Sequence, residues 1–157
     1  MEVGKHTIQI VVKNRPDVLV RVAGIFSGRG FNIESITANV TMDPGITKIN
    51  IVTTGDSRTV IKIQNQLKKL VDVRQVSHIR KTKHGQREIV LIRLKLSSEN
   101  KDKIMNAIDS FKCRVLSRKT DHCIIEATGS GEEIDDILNH FAPLGMEDMC
   151  RSGIVAL

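Results

Sequence analysis

One order of short apolar strands and amphipathic helices occurs twice along the 157 residues of this chain, and that repetition limits its fold more than any single motif. Strand-like alternation is predicted near 6–13, 32–42, 47–54 and 72–80, enclosing helical patterns near 17–27 and 57–71. The run RKTKHGQR (80–87) is basic and poor in apolar residues, so it reads as a joint. Beyond it the spacing predicts a strand over 88–96, a helix over 98–111, strands over 112–119 and 122–128, a helix over 131–141 and a strand over 147–157. Both halves therefore read βαββαβ.

Helical faces support the division. Val60, Ile63, Leu67 and Leu70 fall on one side of the second helix, and Ile104, Ala107, Ile108 and Phe111 on one side of the third. The expected class is α+β, with two ferredoxin-like βαββαβ modules, each an antiparallel four-stranded sheet carrying both helices on one face. The expected boundaries are 1–80 for the first module, 81–87 for the basic linker and 88–157 for the second. One face of each sheet then needs polar residues or a partner, and the edge strands need pairing, which points to oligomerisation.

The stretch NRPDVLVRVAGIFSGRGFNIESI, residues 14–36, joins a strand exit, a helix, a glycine stop and a second strand. Pro16 removes a backbone donor and steers Arg15 away from helix. Asp17 is the expected helix cap, Val18, Leu19, Val22, Ala23, Ile25 and Phe26 follow at helical spacing, and Gly28 and Gly30 are expected to end the helix through left-handed dihedrals. The first amides of such a helix lack intrahelical partners and sit at the positive end of its dipole, a setting that suits a carboxylate. Asn14 and Asn32 offer both donors and acceptors, and Ile33 offers apolar contact. Taken alone, Asn14 reads at least as well as a turn residue and Asn32 as a strand-opening one.

This stretch resembles the first half of an ACT domain. Together with GITKINIVTTGD (45–56), QLKKLVDVRQVSHI (66–79), REIVLIRLKL (87–96) and RSGIVAL (151–157), it is most similar to the small regulatory subunits of acetohydroxyacid (acetolactate) synthase over nearly the whole chain. The resemblance implies an N-terminal ACT domain that binds an effector through Asn14, Asp17, Val18, Leu19, Asn32 and Ile33, and a second, ACT-like module. It implies side-by-side pairing of copies, so that the loop after the first strand of one copy faces the start of the second strand of another. It further implies a catalytic large subunit as partner, activation of that subunit, and feedback inhibition by valine or another branched-chain amino acid. Thiamine diphosphate, magnesium and FAD would belong to the partner. Asp17 departs from the family pattern, in which glycine is common at that position, and its charge would oppose a bound carboxylate.

Other classes fit less well. A net charge of +6 and the βαββαβ order are compatible with nucleic-acid binding, yet the chain has no Trp or Tyr and the strand TKINIVTTG has no aromatic on which a base could stack. Lys68, Lys69, Arg80, Lys81, Lys83 and Arg87 read instead as a solvated face or a docking face for an acidic partner. An acylphosphatase-like enzyme shares the strand order, but no glycine-rich phosphate loop with arginine follows the first strand. A stand-alone amino-acid-sensing ACT protein is the remaining alternative. Gly28-Arg29-Gly30 precedes a strand, whereas a dinucleotide fingerprint follows one. The five histidines show no catalytic or metal-binding spacing, His122-Cys123 reads as structural, and no catalytic or metal site is expected. Three cysteines without CxxC favour reduced thiols, and no segment approaches the ~20 apolar residues of a membrane span, so a cytoplasmic location is expected.

Overall fold

The computed structural model describes residues 3–79 and 85–157. The first half contains β1 (Gly4–Lys13), α1 (Val18–Ser27), β2 (Ser35–Val40), β3 (Ile46–Gly55), α2 (Ser57–Leu67) and β4 (Val73–Ile79). The second contains β5 (Gln86–Lys95), α3 (Lys101–Ser110), β6 (Arg114–Arg118), β7 (His122–Gly129), α4 (Gly131–Phe141), β8 (Met146–Arg151) and a two-residue strand β9 (Val155–Ala156). The sheets are antiparallel, ordered β2-β3-β1-β4 and β6-β7-β5-β8, so both halves have the expected two-helix ferredoxin-like arrangement. No helix among the described residues is long and apolar enough to cross a membrane.

Period-two alternation explains the central strands. Ile8, Ile10 and Val12 on β1 and Ile49 and Ile51 on β3 turn one face inward, where Val18, Val22 and Phe26 of α1 and Val60, Ile63 and Leu67 of α2 close a core. In the second half Val90, Ile92 and Leu94 on β5 meet Ile104 and Ile108 of α3 and Ile134, Leu138 and Phe141 of α4. Each fully buried aliphatic or aromatic side chain contributes about 1.5–3 kcal/mol of transfer free energy.

Helix ends differ from their sequence expectation in instructive ways. Asp17 does not cap α1: its side chain makes no capping hydrogen bond and pairs with Arg21 one turn on, at 2.6 Å. Gly28 keeps a right-handed φ of −65°, and of the two glycines only Gly30 is left-handed, with φ 69°. The helix expected to run to residue 71 ends at Leu67, where a turn carries Leu70 against the same core. By contrast α4 begins and ends where its pattern predicts. Ser130 Oγ accepts from the Glu133 amide at 3.3 Å while Glu133 Oε2 accepts from the Ser130 amide at 2.7 Å, a reciprocal capping box. Ser130→Ala is expected to lower stability by about 1 kcal/mol, read as a shift of the urea midpoint at unchanged slope.

The closing strand expected over 147–157 is broken. It runs as β8 to Arg151, then Gly153, at a left-handed φ of 83°, redirects the chain before β9. Two compact units result: the first half to Gly85 together with Ile154–Leu157, and Gln86–Gly153. Of the basic joint, 80–84 lies outside the described residues, whereas Gln86 and Arg87 already belong to β5.

Ile154–Leu157 lies on the sheet face of the first unit that the helices leave open. Gln9 on β1, Asn50 on β3 and Thr37 on β2 stand opposite one another in register. The Gln9 amide donates to Asn50 Oδ1 at 3.0 Å and to the Ala156 carbonyl at 2.7 Å. Asn50 in turn donates to the Thr37 hydroxyl at 3.2 Å, and that hydroxyl donates to the Ile154 carbonyl at 2.9 Å. Leu157 N–H closes on the Gly85 carbonyl. Asn50 and Ala156 are buried, so in this unit part of the open face is covered by the same chain.

Candidate effector site

At the end of β1 the loop leading into α1 is braced from below. The Asn14 amide N–H donates to the Gly45 carbonyl at 2.8 Å, its side-chain Nδ2 donates to the Pro44 carbonyl at 3.0 Å, and its Oδ1 accepts from the Thr47 hydroxyl at 3.2 Å. The turn under it is fixed by Asp43, whose carboxylate accepts from the Gly45 amide. Asn14 therefore works as a turn residue here, with both ends of its amide engaged.

Val18 is buried in the core, so toward solvent it presents backbone only, while Leu19 is exposed at 41%. Because Asp17 turns to Arg21, its carboxylate leaves the first α1 amides uncapped. Around them stands a charge cluster that the motif did not announce. Asp72, only 3% exposed, faces Arg15 at 3.4 Å and Arg21 at 3.8 Å, and its Oδ1 makes no hydrogen bond. Its backbone carbonyl accepts from Lys13 N–H at 2.9 Å, which ties the start of β4 to the end of β1. The four-residue spacing of Asp17 and Arg21 was the available signal for this cluster; nothing local marks Asp72 or Arg15 as its other members. An uncapped helix start flanked by two guanidinium groups, each with a carboxylate neighbour, can accept an anionic group at the amides and a cationic group at the carboxylates.

Asn32 and Ile33 lie elsewhere. Asn32 is exposed, its carbonyl accepts from the Thr53 hydroxyl at 2.6 Å, and Ile33 packs partly against the core. Thr47, under Asn14, and Thr53, under Asn32, are six residues apart on β3, which is about 20 Å at the rise of a strand. The ten residues of α1 separate the same two groups by about 15 Å. Within one copy, then, Asn14, Asp17, Val18 and Leu19 form one cluster and Asn32 with Ile33 another.

No three His, Cys, Asp or Glu side chains among the described residues gather as a metal-binding group. Burial raises the thiols of Cys113 and Cys123 above their ordinary pKa, which lowers the thiolate fraction at neutral pH. His122 pairs with the neighbouring Asp121 at 2.8 Å, and that hydrogen bond holds the aspartate below its usual range.

Known proteins place this architecture. The profile of the AHAS small subunit-like ACT domain matches residues 8–75, and that of the small subunit of acetolactate synthase matches residues 87–157. A probable acetolactate synthase small subunit of Archaeoglobus fulgidus is 36% identical over 98% of this chain and 96% of its own length. One from Methanothermobacter thermautotrophicus is 35% identical over 100% and 94%. The crystal structure of the Thermotoga maritima acetolactate synthase small subunit superposes with a TM-score of 0.86 at 32% identity, covering 98% of this chain and 96% of that one. With both modules matched in order, this chain belongs to the acetolactate synthase small-subunit family of regulatory ACT proteins.

Proposed function

We propose that the chain binds and activates the catalytic large subunit of acetolactate synthase and makes it sensitive to feedback inhibition by valine or a related branched-chain amino acid. The observation that carries this reading is the separation of the two candidate clusters by about 20 Å along β3. One copy cannot close both around a single amino acid. Two copies paired side by side bring the Asn14–Leu19 loop of one to Asn32 and Ile33 of the other. The α1 amides then take the effector carboxylate, and Leu19 and Ile33 flank its side chain. A hydrophobic hole separates amino acids differing by one methylene by only about 1–3 kcal/mol, so valine, leucine and isoleucine compete for it. Thiamine diphosphate, magnesium and FAD reside on the catalytic subunit, and the joined enzyme works in the cytoplasm.

Phe26 and Phe141 are fully buried and Phe31 and Phe111 pack against the cores, so these sheets present none of the chain's four phenylalanines as a stacking platform for bases. The test is to add the protein to its cognate large subunit and follow acetolactate formation from pyruvate with and without valine. Stimulation by the protein and its reversal by valine are expected; no change in rate on mixing sinks the proposal. Sedimentation at micromolar concentration should show a homodimer or larger species, and a strict monomer with and without valine would remove the two-copy site.

A further inference from the structure

We propose that Ile154–Leu157 is a positioning strap for the effector module: it fixes edge strand β2, and through it Asn32 and Ile33, so that effector response depends on residues far from the ligand. This rests on the effector reading above. β2 lies at the end of the sheet order and has backbone pairing only to β3. Its Ile36 and Val40 are exposed, at 41% and 52%. A strand so placed frays more readily than a central one.

The strap supplies a second hold. Gln9, Asn50 and Thr37 form a continuous donor chain across β1, β3 and β2 whose two outer members end on carbonyls of Ala156 and Ile154. Gln9 Nε2 donates to two acceptors, Asn50 Nδ2 and the Thr37 hydroxyl to one each, and no acceptor is shared. Take away the two carbonyls, and Gln9 and Thr37 each lose a partner; the row then holds β2 only through Asn50. Ile33 lies four residues before Thr37 along the same chain, so a shift of β2 displaces the half of the candidate site that a second copy must meet.

Thr37→Val keeps the branched shape and β propensity while removing the hydroxyl; Thr37→Ser keeps the hydroxyl. In the complex with the catalytic subunit, Thr37→Val and a protein ending at Gly153 should raise the valine concentration for half-inhibition about 3- to 10-fold, the effect of one net hydrogen bond. Stimulation of the catalytic subunit should stay at the wild-type level, and Thr37→Ser should restore the wild-type midpoint. Amide hydrogen exchange over 35–40 should quicken in Thr37→Val and stay slow in Thr37→Ser. Should the shortened protein not fold, Thr37→Val alone decides. An unchanged midpoint with unchanged exchange in Thr37→Val overturns the strap, as does equal loss of stimulation and inhibition. If the wild-type complex ignores valine, leucine and isoleucine, the effector reading falls; exchange over 35–40 then decides the strap by itself, quickened supporting it and unchanged overturning it.

Discussion

Arg151→Met is expected to destabilise the second unit by about 3 kcal/mol, the lower end of what breaking a buried ion pair costs. Arg151 sits at the end of β8 with its guanidinium hydrogen-bonded to both carboxylate oxygens of Glu88 on β5 and, at 2.5 Å, to Asp135 on α4. Glu88 is 4% exposed, so without the arginine its charge is left in the core face of the sheet. The lower end applies because the Arg151 side chain keeps 28% of its surface and Asp135 is half exposed. The hydrogen bonds that the guanidinium donates to Glu88 raise it above its ordinary pKa. A raised folded-state pKa adds stability at every pH below the unfolded value, so the arginine stays charged throughout neutral assay conditions. Urea unfolding measures the loss. The double variant Glu88→Gln, Arg151→Met should recover much of it, because the stranded charge is gone. A single-variant loss under about 0.5 kcal/mol would reduce the triad to the worth of a surface pair.

The second large effect concerns the ligand. Asn32→Ala should weaken valine inhibition by about 5- to 150-fold, the loss of roughly 1–3 kcal/mol when a polar ligand group is left unpaired, with little change in stability. The fold is spared because the Asn32 side chain is exposed and Thr53 holds its carbonyl instead. Asn14→Ala should differ in kind, since its amide braces Pro44 and Thr47 and its removal costs stability along with affinity. Asp17→Gly tests the charge beside the α1 amides. Its pair with Arg21 is half exposed and is worth no more than about 1 kcal/mol, so the substitution is cheap for the fold. If the aspartate repels the effector carboxylate, inhibition tightens; if it receives the effector ammonium, inhibition weakens. Valine titrations of the complex separate the outcomes, and unchanged inhibition in both asparagine variants would place the effector elsewhere.

Elements whose ends are written locally were legible in the sequence. α4 carries its cap in Ser130 and Glu133, within four residues, and its pattern predicts both ends. The helical spacing runs four residues past the end of α2 because Leu70 continues it while reaching the core from a turn: periodicity records burial, not dihedral angle. The candidate site was legible as a loop but not as a charge cluster. Asp17 has two local options, helix amides or Arg21 one turn on, and the choice falls to Arg21, which also faces buried Asp72, distant in sequence. The break at Gly153 was hidden for a similar reason. The apolar run after it fits a strand, whereas the carbonyls beyond the break accept from a polar row that reaches back to Gln9, 147 residues away.

That distance matters during synthesis. Ile154 is made 75 positions after Ile79, the last residue of β4, a delay of roughly 4–15 s at about 5–20 residues per second. Over that interval the first unit has all six of its regular elements and an open sheet face with Gln9, Asn50 and Thr37 turned to water. Neighbouring nascent chains on one message would offer the same unfilled face to one another, and residues 154–157 of a chain already made that far are the piece that fits it. Where such chains are crowded, exchange of this segment between copies competes with its return to its own sheet, and slower translation of 85–153 lengthens the window for that exchange.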